Sequence, residues 1–122
     1  MRLEINNKPV ELKFSFEFIE RMDKRFATDE RADDMGIGLV VGLNLLERTY
    51  SPTTLTDVIY AATDGVSKPD IKKFIEEYAI ENETLEPLFD EIITEIKKAP
   101  MLTATLKKTG KLMSEYMKNQ QA

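Results

Sequence analysis

The sequence contains no cysteine, no histidine and no tryptophan. Without cysteine there is no thiol nucleophile, no thiolate for zinc and no disulfide framework. Without histidine the commonest general base and the commonest metal ligand are both missing. Any catalysis would rest on carboxylates or lysine alone. No apolar run approaches the roughly 20 residues of a membrane span. The opening "MRLEINNKPV" alternates apolar and polar residues and has no apolar signal-peptide centre. These absences favour a non-enzymatic cytoplasmic protein with no catalytic residues, no cofactor, no metal and no membrane contact.

What is present fits an ordinary globular chain. Its 122 residues are 42% hydrophobic and 32% charged, enough to bury a core without staples. One domain, 1–122, is the natural reading, divided into a β-hairpin at 1–15, a helical body at 16–100 and a basic C-terminal helix or tail at 101–122. The net charge of −5 hides an asymmetry. Residues 1–96 hold 11 Lys/Arg against 21 Asp/Glu, a net of −10, whereas residues 97–122 hold six lysines against Glu115, a net of +5. An acidic body with a basic tail points to an interaction segment or to head-to-tail self-contact. The plainer alternative is a solvated, lysine-rich helix face. Six positive charges are few for nucleic-acid binding. Tyr50, Tyr60, Tyr78 and Tyr116 do not interleave with them as a stacking platform would.

"RLEINNKPVELKFS" reads as a hairpin. Leu3 and Ile5 alternate with polar residues, as do Val10, Leu12 and Phe14 after the turn, so both arms share one apolar face. Asn6-Asn7-Lys8-Pro9 supplies the turn. From Phe16 the period lengthens. Phe16, Ile19, Met22 and Phe26 form an amphipathic stripe, with Glu17, Glu20, Arg21 and Lys24 on the other face. "ATDERADD" breaks the pattern and reads as a charged connector. The next helices carry clear start signals: Ser51-Pro52 before the stripe Leu55, Val58, Ile59, Ala62, and Ser67 with Pro69 before Ile71, Phe74, Ile75, Tyr78. Gly65 is suited to end the first of these. Leu85, Leu88, Phe89, Ile92 and Ile96 mark another helix, which Pro100 ends. Over 101–118, Leu102, Leu106, Met113 and Met117 share one side of a weaker helix that Gly110 interrupts. The fold expected is α+β, mostly α, with the hairpin packed on a bundle of about five or six helices.

"MGIGLVVGLNLLE" holds Gly36, Gly38 and Gly42. A dinucleotide fingerprint needs G-x-G-x-x-G between a strand and a helix, and a P-loop needs G-x-x-x-x-G-K-[ST]. Neither fits, and the acids around the run would repel phosphate. The better reading is a buried central helix whose apolar residues Ile37, Leu39, Val40, Val41, Leu43, Leu45 and Leu46 point almost all round. Gly38 and Gly42, four apart, let a neighbouring element come close. Asp29, Asp33 and Asp34 do not match a calcium loop, and a solvated connector accounts for them. The adjacent pairs Glu76-Glu77 and Asp90-Glu91 diverge round their helices and make no catalytic dyad.

"LEINNKPVELKFSFEFIERMDKRF" resembles the opening of small tail assembly chaperones from long-tailed phages and prophages of Gram-positive bacteria. That opening is an "INGK"-like hairpin, an "ELKFSF"-type second strand and an amphipathic helix. Ile5-Asn6-Asn7-Lys8 stands where the family often has Asn-Gly. The order that follows is also similar: a Gly-Leu helix, "LTDVIYAA", a helix starting near Pro69, and "LFDEII". The resemblance implies a non-enzymatic chaperone that holds the tape measure protein while the tail tube protein polymerises around it, that works in the host bacterial cytoplasm, and that is absent from the mature virion. The alternative is a structural or adaptor component of the particle, of head–tail connector type. Self-association into a homo-oligomer is expected from the sheet edge and the methionines. The expected partner face is Leu102, Leu106, Met113 and Met117, rimmed by Lys107, Lys108 and Lys111. The competing expectation is that this helix completes the chain's own core.

Overall fold

The computed structural model describes residues 1–27 and 37–109. Strand β1 (Arg2–Ile5) pairs antiparallel with β2 (Lys8–Glu11), in the register Arg2↔Glu11, Leu3↔Val10, Glu4↔Pro9, Ile5↔Lys8. The turn is Asn6-Asn7 alone, with φ of 54° and 61°. Two successive positive φ values define the turn whose twist matches a hairpin, and asparagine tolerates them. Lys8 and Pro9 therefore belong to the strand, which starts two residues earlier than the sequence reading placed it. The Leu12 amide donates to the Met1 carbonyl at 2.9 Å. By alternation Glu4↔Pro9 is then a pair without ladder bonds, so Pro9 sacrifices no hydrogen bond to β1. Glu11 receives Arg2 and the N-terminal ammonium at 3.1 and 3.3 Å. The Arg2 hydrogen bond, followed by that of the ammonium, holds its carboxyl below the usual range.

The hairpin's apolar face does pack inward. Leu3, Ile5 and Leu12 are buried, and Val10 and Phe14 lie half-buried against the same core. The Lys13 amide, donating to the Ala62 carbonyl at 2.8 Å, ties the hairpin to the helices. Leu12→Asp puts an unpaired carboxylate into this core and is expected to destabilise by about 4 kcal/mol. An unchanged urea midpoint would refute that placement.

Six helices follow among the described residues: α1 (Phe16–Phe26), α2 (Ile37–Thr49), α3 (Pro52–Ala62), α4 (Lys68–Asn82), α5 (Glu86–Lys98) and α6, over 100–109. Two start as their sequences direct. The Ser51 hydroxyl oxygen accepts from the Thr54 amide and that of Ser67 from the Asp70 amide, with Pro52 and Pro69 in the first turns. Helix α3 ends at Ala62, with Thr63 as its cap, and Gly65 (φ 73°) shapes the turn beyond rather than the cap itself.

The central helix is α3, not α2. Every residue over 54–59 is buried, as are Ala61 and Ala62. Helix α2 buries one face only, through Leu39, Leu43 and Leu46, while Leu45 is exposed. The sequence reading reversed the two because α2 is almost wholly apolar and α3 carries Thr54, Thr56 and Asp57. Local bonding lets those polar groups enter the core. The Thr56 hydroxyl donates to the Pro52 carbonyl at 2.9 Å. Asp57 receives Arg25 from α1 at 3.0 Å and Lys68 from α4 at 3.3 Å. One buried carboxylate thus links three helices. Asp57→Asn should cost about 1–2 kcal/mol, read by chemical denaturation. Arg25 and Lys68 can still turn to water, so the loss stays below that of a pair with both ends buried.

Helix α1 is a second hub. Phe18 and Met22 are fully buried, Ile19 and Phe26 half-buried, and Phe16 is 67% exposed. The stripe was expected to begin at Phe16. It is Phe18 that enters the core, meeting Phe14 edge-on with ring centroids 5.1 Å apart. Arg21, expected to face solvent, donates to the Ala61 and Thr63 carbonyls at 3.2 and 3.1 Å and to Asp64 at 2.9 Å. A guanidinium on the terminal carbonyls of α3 satisfies acceptors that helix geometry leaves orphaned. On the same helix, Asp23 accepts the Leu39 amide at 2.8 Å and so caps the start of α2.

The glycines explain how close α1 and α2 come. A Cβ on Gly38 would lie 2.3 Å from the Asp23 carbonyl oxygen, and one on Gly42 would lie 2.5 Å from the Phe26 ring. Gly38 and Gly42 serve packing. Gly36 and the acids Asp29, Asp33 and Asp34 lie outside the described residues.

Candidate interaction surface

Helix α6 begins where α5 ends, turning at Pro100. Lys97 of α5 is salt-bridged to Glu47 of α2, which sets the start of α6 beside α2. Tyr50 reinforces this side. It sits at φ 49°, stacks on Phe89 of α5 at 4.7 Å and donates its hydroxyl to Asp90. That hydrogen bond raises the Tyr50 pKa above its ordinary value.

The residues expected to face a partner divide here. Leu102 is fully buried among the chain's own helices, so in this fold it has no surface to offer. This corrects its placement in the partner face. A leucine four residues past the end of α5 gains more from the adjacent core than from solvent. Leu106, one turn on, is half-buried against the same core. Lys107 and Lys108 are exposed. Lys111, Met113 and Met117 lie outside the described residues.

A second feature was not read from the sequence. On α4, Asp70, Lys73, Phe74, Glu77, Tyr78 and Glu81 recur at helical spacing and line one wall of a trough of about 360 Å³. Glu4 of β1 and the turn residues Asn6 and Asn7 form the other wall. Phe74 and Tyr78, half-buried with centroids 6.2 Å apart, supply its aromatic surface. Sequence periodicity marked Phe74 and Tyr78 as core. Only the docking of the hairpin beside α4 shows that they also border an acidic cleft. Among the described residues no three acidic side chains are placed to hold a metal ion. Nor is any described helix long and apolar enough to cross a membrane.

The architecture is thus an N-terminal hairpin laid on a helical body, with an acidic trough at one place and exposed lysines at another. A family model described as phage tail assembly chaperone protein, TAC, matches residues 2–111. The chain belongs to the phage tail assembly chaperone family. Searches of curated proteins and of solved structures returned no match. In this tail assembly chaperone the matched span takes in the hairpin, the capped helices and the lysines of α6.

Proposed function

We propose that this tail assembly chaperone binds the tape measure protein and assists polymerisation of the tail tube protein around it, without catalysing a covalent reaction. It acts in the host bacterial cytoplasm and leaves before the virion is mature. The observation that carries this reading is the family match over residues 2–111. The charge division supports it, because contacts made by opposite charges form fast and weaken with salt. A chaperone that must later be displaced is served by such contacts. The contact segment on this reading is Leu106, Lys107 and Lys108, continuing through Lys111, Met113 and Met117.

Co-expression with the tape measure protein tests it. The expected result is a soluble tape measure protein that co-purifies with this chain, and an insoluble one without it. Equal solubility with no complex would overturn the reading. Finding the chain by mass spectrometry in purified, finished particles would instead make it a structural component.

A further inference from the structure

We infer that the outward face of α2 is the docking site for residues 110–122 of the same chain, so that the free protein covers this face with its own C-terminal segment. The first argument is a mismatch between composition and burial. Seven of the ten residues from Ile37 to Leu46 are aliphatic. A helix that is apolar nearly all round is normally enclosed on every side. Yet α2 packs on α1, α3 and α5 through one face only, that of Leu39, Leu43 and Leu46 with the two glycines. Two adjoining rows remain on the other side: Val41 with Leu45, and Val40 with Asn44, each pair four apart. Leu45 is exposed and the other three are half-buried. Covering apolar surface of this kind is favourable at about 25 cal/mol per Å².

The second argument is where the described chain ends. Glu47 continues the row of Val40 and Asn44 and holds Lys97, so α5 finishes at the foot of this face and α6 starts beside it. Leu106 packs on the core, and Thr109, the last described residue, is still half-buried. The chain is therefore on the surface of the helical body when it reaches residue 110. From there residues 110–122 span about 20 Å as a helix, which matches the length of α2, and about twice that when extended.

The third argument is what the segment offers. At helical spacing Leu112, Met113, Tyr116 and Met117 fall on one side, and Lys111, Glu115 and Lys118 fall on the other. Methionine side chains adapt to an irregular aliphatic surface such as that of valine and leucine rows. The connector 28–36 is no rival for the face, because it offers only Ala32 and Met35 among five charged residues. Tethering to α6 gives the segment an effective concentration on the order of millimolar, which favours it over a free molecule in solution. The cover is a property of the free chain. A partner that takes Met113 and Met117 must first lift them from α2, whether or not that partner is the tape measure protein.

The absence of native cysteine allows a single spin label on the full chain at Asn119→Cys. A thermal melt like that of the wild type confirms that the labelled chain is folded. Its valine and leucine methyl signals are recorded alone and after mixing with an excess of unlabelled wild type. The methyls of Val40, Val41 and Leu45 should be broadened more than those of Leu3 and Val10 in the hairpin, and equally so in the mixture. Met113→Ser/Met117→Ser in the same labelled chain should remove most of the broadening, and should raise the fluorescence of an apolar dye severalfold as the α2 face is uncovered. Unbroadened α2 methyls would overturn the proposal by leaving the face bare. Broadening that disappears in the mixture would also overturn it, because the occupant would then be a second copy. So would broadening that survives the serine pair, since the segment would then pass near α2 without docking on it.

Discussion

Gly38→Ala is expected to lower the unfolding free energy by about 3 kcal/mol, and with it the melting temperature by roughly 10 °C. The direction is the reverse of what the helix alone would show. In an isolated helix alanine is better than glycine by about 1 kcal/mol. Here the added Cβ would sit 2.3 Å from the Asp23 carbonyl oxygen and 2.6 Å from its Cα. Both are backbone atoms of α1, so the whole helix must move. Movement also loosens the Asp23 carboxylate from the Leu39 amide, now 2.8 Å away, and uncaps α2. Gly42 gives an internal comparison. Its Cβ would meet the Phe26 ring at 2.5 Å and the Met22 methyl at 2.7 Å, which are side-chain ends that can shift. Gly42→Ala should therefore cost less, about 1–2 kcal/mol. Gly65 has open space around it, and only its φ of 73° resists substitution, at about 1 kcal/mol. Urea denaturation of the three variants checks the order. A Gly38→Ala protein as stable as the wild type would show that α1 and α2 do not approach this closely.

These differences mark what could be read from the sequence and what could not. Signals carried by neighbouring residues were legible: the period-two alternation of Leu3 and Ile5, the asparagine turn, and the serine caps at Ser51 and Ser67. The close approach at Gly38 and Gly42 was legible too, because only the absence of a side chain permits it. Which helix is central was not. Burial depends on neighbours on every side, and Asp57 is admitted to the core by Arg25 and Lys68, which are 32 and 11 positions away. A single sequence shows the carboxylate and not its distant partners. The choice between Phe16 and Phe18 failed for a related reason. Phe18 is selected by Phe14, just before the helix begins, so the stripe starts from the hairpin and not from the first helical residue.

The candidate surface divides along the same line. The lysines of the C-terminal segment were visible as composition. The trough was not, because Glu4 and Glu81 stand 77 positions apart and meet only once the hairpin lies beside α4. The apolar residues of the segment posed the harder question, since periodicity cannot say whether a stripe meets its own core or a partner's. Leu102 answers it for the first turn of α6 by being fully enclosed.

Leu102→Ala should accordingly destabilise by about 3 kcal/mol, in the range for emptying a buried leucine site. Lys107→Glu/Lys108→Glu, on the same helix, should change stability by less than about 0.5 kcal/mol, because both side chains are exposed. One helix thus does two jobs. Its first turn closes the core through Leu102, aided by half-buried Leu106, and its outer face presents charge. The division bears on how the segment is probed. Deleting 101–122 removes Leu102 along with the lysines, so the truncated chain loses stability whether or not the segment binds anything. Charge reversal keeps the core contact and removes only the cationic surface. The expected pattern is therefore a low melting temperature for Leu102→Ala and for the deletion, and a wild-type melting temperature with weakened association for the charge reversal. A Leu102→Ala protein that melts like the wild type but no longer associates would return Leu102 to the partner face and show that this turn leaves the core in solution.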